Sequence, residues 1–299
     1  MTTFDIQSDQ APLHPDVHAL IERAASTDGC DPFSEQFLLG LSDPRLGHIH
    51  LIARVGEDIV GVLAHDGATA ELVVDPGWRR QGIASALIDA HGPGAVWAHG
   101  DLVPAQHLAA RLAATKTREL LVMRLTEPAP RAEIPAGYEV MSLAAAREQW
   151  GERADAELLR VNNEAFSWHP EQGGWDMQRW ERAQEAHCFD PEGVLLLWEA
   201  PSGGEATKLA GFHWTKCLRS HQVSGEETVG EVYVVGLADN ARGQGLGKPI
   251  TLVGINHMQK HGYKQVILYV EAENRPAVAT YESLGFSVIE RHSLYRVER

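Results

Sequence analysis

"ARGQGLGKPI", residues 241–250, sets glycines at 243, 245 and 247 between Arg242 and Lys248. No acid interrupts it, although the 299-residue chain carries 41 acidic against 26 basic side chains. "GEVYVVGLA" (230–238) before it has the valine content of a β-strand, and "GKPITLVGINHMQKHG" (247–262) after it reads as a helix with Pro249 in its first turn. A glycine-rich link between strand and helix gathers bare backbone N–H groups at the positive end of a helix dipole, which suits an anion such as a pyrophosphate. A tight turn needing glycine only for its backbone angles is the simpler alternative.

Two nucleotide motifs fail here. A P-loop needs GxxxxGK followed by Ser or Thr, but position 242 is Arg and Lys248 is followed by Pro249. A dinucleotide fingerprint needs GxGxxG and an acid about 20 residues on; this loop is GxGxG without that acid. What remains is Arg-x-x-Gly-x-Gly, carried by Arg242, Gly245 and Gly247.

The same order occurs earlier in the chain. "ATAELVVDPGWRRQGIASALIDAHG" (68–92) sets Leu72-Val73-Val74 before Arg79, Arg80, Gln81, Gly82, Ile83, Ala84 and Ser85, displaced by 163 residues from Val235-Gly236-Leu237 and Arg242. "AVWAHGD" (95–101) matches "VILYVEA" (266–272) at 171, so the second half is expected to hold about two additional helical turns. Two unrelated turns would not both place an arginine three residues before the glycine, and an internal duplication follows. "LTEPAPRAEIPAGYEV" (125–140) has three prolines and no sustained period, and reads as the linker between domains at 1–130 and 137–299. Elsewhere in the second half, "DAELLRVNNEAF" (155–166) has helical spacing, and "GVLLLWEA" (193–200) and "KLAGFHWTKC" (208–217) read as paired strands. The fold class is α+β: two tandem domains, each a mixed central sheet flanked by helices.

Composition excludes other classes. A net charge of −15 argues against nucleic acid, which needs a basic face. No apolar run approaches the roughly 20 residues that cross a bilayer, and "MTTFDIQSDQ" has no secretory leader pattern. Three scattered cysteines, Cys30, Cys188 and Cys217, fit a reducing cytoplasm rather than a disulfide framework. His257 and His261 stand four apart but lack a carboxylate partner in the sequence, so no metal is expected. Glu231 opens the strand before the glycine loop, and Tyr281 sits on the helix of "RPAVATYESLGF" (275–286), which Asn274 caps and Gly285 stops.

A valine-rich strand, Arg-x-x-Gly-x-Gly/Ala, a helix, and then "AENRPAVATYESLGF" (272–286) resembles the acetyl-CoA site of the GNAT-type N-acetyltransferases. The resemblance implies acetyl-CoA as donor, held by Val235, Gly236, Leu237, Arg242, Gly243, Gln244, Gly245, Leu246, Gly247 and Lys248, and by Asn274, Arg275, Pro276, Ala277, Val278 and Ala279. It implies Glu231 as the base beside the incoming amine and Tyr281 as the acid facing the CoA sulfur. Gly236, unusual within a strand, suits a bulge there. With "HPEQGGW" (169–175) and "GFHWTK" (211–216), the tandem order is similar to acetyltransferases acting on the cysteinyl amine of a cysteinyl-glucosaminyl-inositol, a small thiol-sugar. That resemblance implies Glu35, Glu171, Lys216, Glu231 and Tyr269 as acceptor contacts. A monomer is expected.

The first copy departs from the pattern. Leu72–Val74 and Arg80–Ser85 can still hold acetyl-CoA, but "LAARLAATKT" (108–117) has no tyrosine where Tyr281 aligns, with Arg111 near its place. That half is expected to be structural or vestigial. An aminoglycoside, polyamine or protein N-terminus as acceptor, and a CoA-binding sensor without turnover, stay open from the residues alone.

Overall fold

The computed structural model describes residues 3–9, 15–168, 172–186, 188–200, 207–218 and 229–298. The chain forms two compact units. Residues 1–121, 271–273 and 290–299 make the first, and residues 122–270 and 274–289 the second.

In chain order the first stretch holds β1 (Asp5–Asp9), α1 (Pro15–Asp28), α2 (Glu35–Gly40), β2 (Ile49–Val55), β3 (Asp58–His65), β4 (Ala70–Val74), α3 (Ile83–His91), β5 (Gly94–Ala98), α4 (Val103–Arg111) and β6 (Thr115–Leu125). The rest holds β7 (Tyr138–Ser142), α5 (Leu143–Trp150), α6 (Arg153–Ala165), α7 (Met177–Ala183), β8 (Val194–Glu199), β9 (Leu209–Leu218), β10 (Val229–Leu237), α8 (Gly247–Lys260), β11 (Gln265–Glu271), α9 (Arg275–Ser283) and β12 (Ser287–Val297).

The first unit's sheet runs β1-β2-β3-β4-β5-β12. Only β4 and β5 are parallel among its paired strands. Successive side chains of a strand alternate between faces, so each face recruits its own helix. Val62, Ala64 and Val73 pack under Val17, Leu20 and Ala24 of α1, while Val60, Ala70 and Val74 pack under Ile83 and Leu87 of α3. The chain's last strand closes this sheet: Ser293 through Val297 pair antiparallel with Ala98 through Gly94. Residues 290–299 thus group with the first unit, whereas a division at 137–299 assigns them to the second. Strand partners are chosen by tertiary register, which local composition does not encode.

The second unit's sheet runs β6-β11-β10-β9-β8-β7, with β10 and β11 parallel and β7 to β10 antiparallel. Its core joins Leu143 and Ala146 of α5, Leu158 and Val161 of α6, Trp180 of α7 and Ile250 of α8 to Leu196, Trp198, Phe212 and Val234 of the sheet. The strand and helix expectations of the sequence agree with these elements. Of the eight residues by which the second copy exceeds the first, six extend α8 beyond the point where α3 stops, and two lengthen the connection to β11.

The proline-rich stretch between β6 and β7 is strapped to α8. Gln259 donates to Glu127 O and accepts from Ala129 N, each at 3.0 Å, while Asn256 donates to Pro130 O at 3.0 Å and accepts from Ala132 N at 2.7 Å. Two amides one helical turn apart thereby satisfy four backbone groups of a segment that cannot build a ladder of its own.

The bulge expected at Gly236 lies elsewhere. The β9–β10 register slips between Val232 and Val234, making Tyr233 the additional residue, whereas Gly236 pairs regularly with Phe212. A Cβ at 236 would stand 2.9 Å from Ala165 Cβ and 3.0 Å from Phe212 Cε1. Gly236 is therefore glycine because α6 packs tightly there.

His213 of β9 is fully buried beneath α8, and its ring takes the space that a Cβ on Gly254 would need, 2.2 Å away. Its Nδ1 lies 3.0 Å from Ile250 O, an acceptor, so that nitrogen carries the proton. Burial pushes the imidazole down from 6.5 to about 4. The unfolded chain takes up a proton below pH 6.5 that the folded protein refuses until about 4. Stability supplied by the neutral ring is therefore complete above pH 6.5 and falls by roughly 3 kcal/mol as the pH drops toward 4. Urea titrations of wild type and His213→Leu between pH 4 and 7 check this: the wild type should show the larger slope in that window.

Candidate active site

The stretch from β10 to α8 is short and tightly specified. Gly243 and Gly245 both have φ of +76°, a left-handed conformation that non-glycine residues adopt at a cost of roughly 1–2 kcal/mol. Gly247 opens α8 with nothing within 4 Å of the Cβ it lacks. Leu237, Arg242, Gly243, Gly245, Leu246, Gly247 and Lys248, with Thr280 and Ser283 of α9, line an open cavity of about 440 Å³. The helix N-terminus, its free amides and Lys248 make that cavity suited to an anion.

Arg242, which lines that cavity, also holds the loop in place. It donates to Glu164 O at 2.7 Å and pairs with Asp239 at 3.0 Å, clamping the loop to α6. Gln244 braces the loop further, accepting from the Tyr138 hydroxyl at 2.9 Å and donating to Asn240 O at 2.7 Å.

Beside the loop, the parallel ladder of β10 and β11 stops early. It runs from Val229–Gln265 to Val232–Leu268, although β10 continues to Leu237 and β11 to Glu271. Val235, Gly236 and Leu237 lie beyond that point and keep β9 as their antiparallel partner on the other side. The edge of β10 that faces the parted β11 is thus backbone with hydrogen-bonding capacity to spare.

Two ionisable side chains singled out in the sequence lie on neighbouring elements, Glu231 on β10 and Tyr281 on α9. Glu231 is buried on β10, opposite buried Lys216 on β9 and beside Ile267 on β11. Paired residues project from one face, so Glu231, Lys216 and, two residues on from Ile267, the exposed Tyr269 share a side of the sheet. Tyr281 lies on α9, whose first turn is capped by Asn274 Oδ1 accepting from Ala277 N at 3.3 Å. Arg275 to Ala279 form the rest of that turn and the next. Burial alone pushes the Tyr281 phenol up to about 12, and its ring packs 5.9 Å from Phe286. Such a phenol keeps its proton at neutral pH and can donate it.

Glu171 lies outside the described residues. Glu35 opens α2 of the first unit, where the buried Glu71 carboxylate accepts from Ser34 N at 2.7 Å. Three side chains carried no signal strong enough to single them out in the sequence. Asn162 and Asn163 of α6 hold the segment around Gln172 to Trp175: Asn162 donates to Gln172 O at 2.9 Å, and Asn163 donates to Trp175 O at 2.8 Å while accepting from Trp175 N at 2.9 Å. Two adjacent asparagines, poor helix formers, were the available hint. Tyr233, an exposed aromatic among valines, is the third.

The first unit repeats the loop but not its surroundings. Arg80 and Gly82, 163 residues before Gly243 and Gly245, also have positive φ, +63° and +92°. Arg79, like Arg242, clamps the loop to an earlier helix, here α1 through Asp28 at 2.7 and 2.8 Å. The β4–β5 ladder likewise stops, after Glu71–Trp97, short of Leu72, Val73 and Val74. Counted back along the antiparallel ladders from the matching pairs Gly61–Val74 and Gly211–Leu237, the place of Glu231 falls at Thr69 and that of Lys216 at Asp66. Those residues already form the hairpin turn, with Asp66 Oδ1 accepting from Thr69 N at 2.8 Å. The helix that follows β5, α4, lacks a side-chain cap at Leu102, and Arg111 at its end is exposed.

Residues 156–286 match the Acetyltransferase (GNAT) family model. The chain is 46% identical over 304 aligned positions to the mycothiol acetyltransferase of Corynebacterium aurimucosum, covering 98% of this chain and 99% of that one. It is 48% identical over 280 positions to that of Corynebacterium efficiens, covering 92% and 90%. The chain belongs to the GNAT acetyltransferase family. Among solved structures, a GCN5-related N-acetyltransferase from Sphaerobacter thermophilus shares the fold at a TM-score of 0.68 and 21% identity, covering 98% of this chain and 95% of that one. A tandem GNAT protein from the clavulanic acid biosynthesis pathway does so at 0.63 and 18%, covering 98% of each. The protein is an N-acetyltransferase, and acetyl-CoA is its donor. Among the described residues no His, Cys, Asp and Glu cluster could hold a metal ion, and no helix is long and apolar enough to cross a membrane.

The loop geometry predicts an order of sensitivity. Gly245→Ala forces a Cβ onto a left-handed residue and should weaken CoA binding roughly tenfold, the equivalent of the strain. Gly247→Ala, with ordinary backbone angles and an alanine at the matching Ala84, should cost well under half of that in binding free energy. Calorimetric titration of both variants with CoA measures the difference.

Proposed function

We propose that the second unit transfers the acetyl group of acetyl-CoA to the cysteinyl amine of a cysteinyl-glucosaminyl-inositol, completing mycothiol. The observation that carries this reading is the early end of the β10–β11 ladder beside the left-handed loop. Together they form a slot for a thioester whose pyrophosphate rests on α8.

In this reading the amides of Gly243 to Lys248 receive the pyrophosphate, and the free edge of β10 at Val235 to Leu237 receives the pantetheine arm and the thioester carbonyl. An N–H aimed at that carbonyl stabilises the oxyanion as the amine adds, a contribution of about 3 kcal/mol in comparable sites. A free α-amine titrates near pH ~7.7–8.0, so it loses its first proton readily. Glu231, directly or through a water, takes the proton released as nitrogen bonds to the carbonyl carbon. The carbon–sulfur bond then breaks, and the thiolate takes the Tyr281 proton, which solvent restores. Lys216 and Tyr269 offer polar contacts to the sugar and inositol hydroxyls, which a purely apolar slot would leave unsatisfied.

The first unit is a structural partner without turnover. Its hairpin turns at Asp66–Thr69, so it presents neither a Glu231 nor a Lys216, and α4 has no tyrosine. An aminoglycoside or polyamine acceptor remains the rival, favoured by the net charge of −15. An amine panel separates the two: the cysteinyl-glucosaminyl-inositol should give the highest kcat/KM, and a polyamine outperforming it would overturn the assignment.

Tyr281→Phe should lower kcat by roughly 10²-fold while leaving CoA affinity unchanged. Glu231→Gln should leave no turnover attributable to the first unit. Because Tyr281 is pushed up to about 12, it stays protonated through pH 10, and kcat should show no alkaline decline from this group below that pH. Steady-state kinetics with a calorimetric CoA titration check all three.

A further inference from the structure

We infer that Tyr233 is a positioning residue of the acceptor side: its ring, not its hydroxyl, holds the Lys216 ammonium beside Glu231. This rests on the acceptor reading above for its kinetic consequence, but not for the contact itself.

Lysine is rarely buried. Lys216 is buried, at 6% exposure, in a sheet whose neighbouring strands are rich in valine and leucine. Its Nζ lies 4.6 Å from the centre of the Tyr233 ring. That is within the distance at which the negative face of an aromatic ring attracts a cation, and the attraction strengthens as water is withdrawn.

The bulge makes the contact possible. Tyr233 is the additional residue between Val232 and Val234, so the regular β9–β10 register does not set its position. Its ring is fixed instead by aromatic neighbours. Trp214 meets it edge-on at 4.9 Å, and Trp214 is itself wedged edge-on against Trp180 at 5.3 Å and Phe189 at 5.7 Å. Such T-shaped contacts set positive ring edges against negative faces and resist rotation. The core of the second unit thus runs through Trp214 to Tyr233 and from there to the ammonium opposite Glu231.

A lysine's four-carbon stem is flexible, and the ring contact narrows the positions that this ammonium can take. Held over the ring, it presents one fixed set of donors toward a polyhydroxylated acceptor. The consequence falls on acceptor binding, because acetyl-CoA contacts lie beyond the bulge.

Tyr233→Leu, which removes the ring, should raise KM for the cysteinyl-glucosaminyl-inositol five- to tenfold, with kcat changed less than twofold and KM for acetyl-CoA unaltered. Tyr233→Phe should restore the acceptor KM to within twofold of wild type. In a Lys216→Met background, Tyr233→Leu should add nothing further. Equal damage by Phe and Leu would assign the effect to the hydroxyl, and additive effects in the double mutant would sever Tyr233 from Lys216; either overturns the inference. CoA affinity by calorimetry reports whether each variant is folded. The ¹³Cε shift of Lys216 in lysine-labelled protein, measured in wild type and Tyr233→Phe, needs no acceptor. A ring-current displacement in both supports the contact and its absence refutes it, even if wild-type protein fails to acetylate this acceptor and the acceptor reading falls.

Discussion

The proposed chemistry of this molecule depends on a ladder that stops. β10 and β11 pair in parallel for four residues, then separate while each strand continues. Inside a sheet, backbone donors and acceptors without partners are costly, and proteins seldom leave them so. Here the separation leaves a strand edge that another strand would otherwise occupy, and in the proposed reading that edge receives the extended amide-bearing arm of the donor. The glycine loop follows β10 directly, and Glu231 lies on β10 within the paired stretch.

Keeping the ladder open requires that everything around it be held firmly. On one side His213 fills the space left by Gly254 and ties β9 to the first turn of α8. On another, Arg242 clamps the loop to α6 and Gln244 links it to Tyr138. The proline-rich segment adds a strap across α8 through Asn256 and Gln259. Arg242 and the proline-rich segment thus add rigidity to the loop and to α8.

The duplicated copy shows which parts of the design are separable. Both units keep the left-handed pair in the loop, the arginine clamp and the interrupted ladder. In the first unit one left-handed position is occupied by Arg80, tolerated at an energetic cost. What differs is the length of the hairpin before the loop. β9 and β10 run on past the point where β3 and β4 turn, and that extension carries Glu231 and Lys216. A few residues of hairpin, together with the tyrosine that α9 has and α4 lacks, distinguish the second unit from the first.

Much of this was legible in the chain itself. Valine-rich strands, the Arg-x-x-Gly-x-Gly spacing, the Asn274 cap and the repeat at 163 residues are local or periodic signals, and each corresponds to local structure: strand, left-handed loop, helix start, second copy. Tertiary structure decided the rest. That β12 joins the first unit, that the bulge sits at Tyr233 rather than Gly236, that Arg242 faces Glu164 and that Trp214 backs Tyr233 all follow from contacts between residues far apart in sequence. Spacing along a chain records which side chains share a face, but not which other element that face will meet, and it is that meeting that places a charge or fixes a ring.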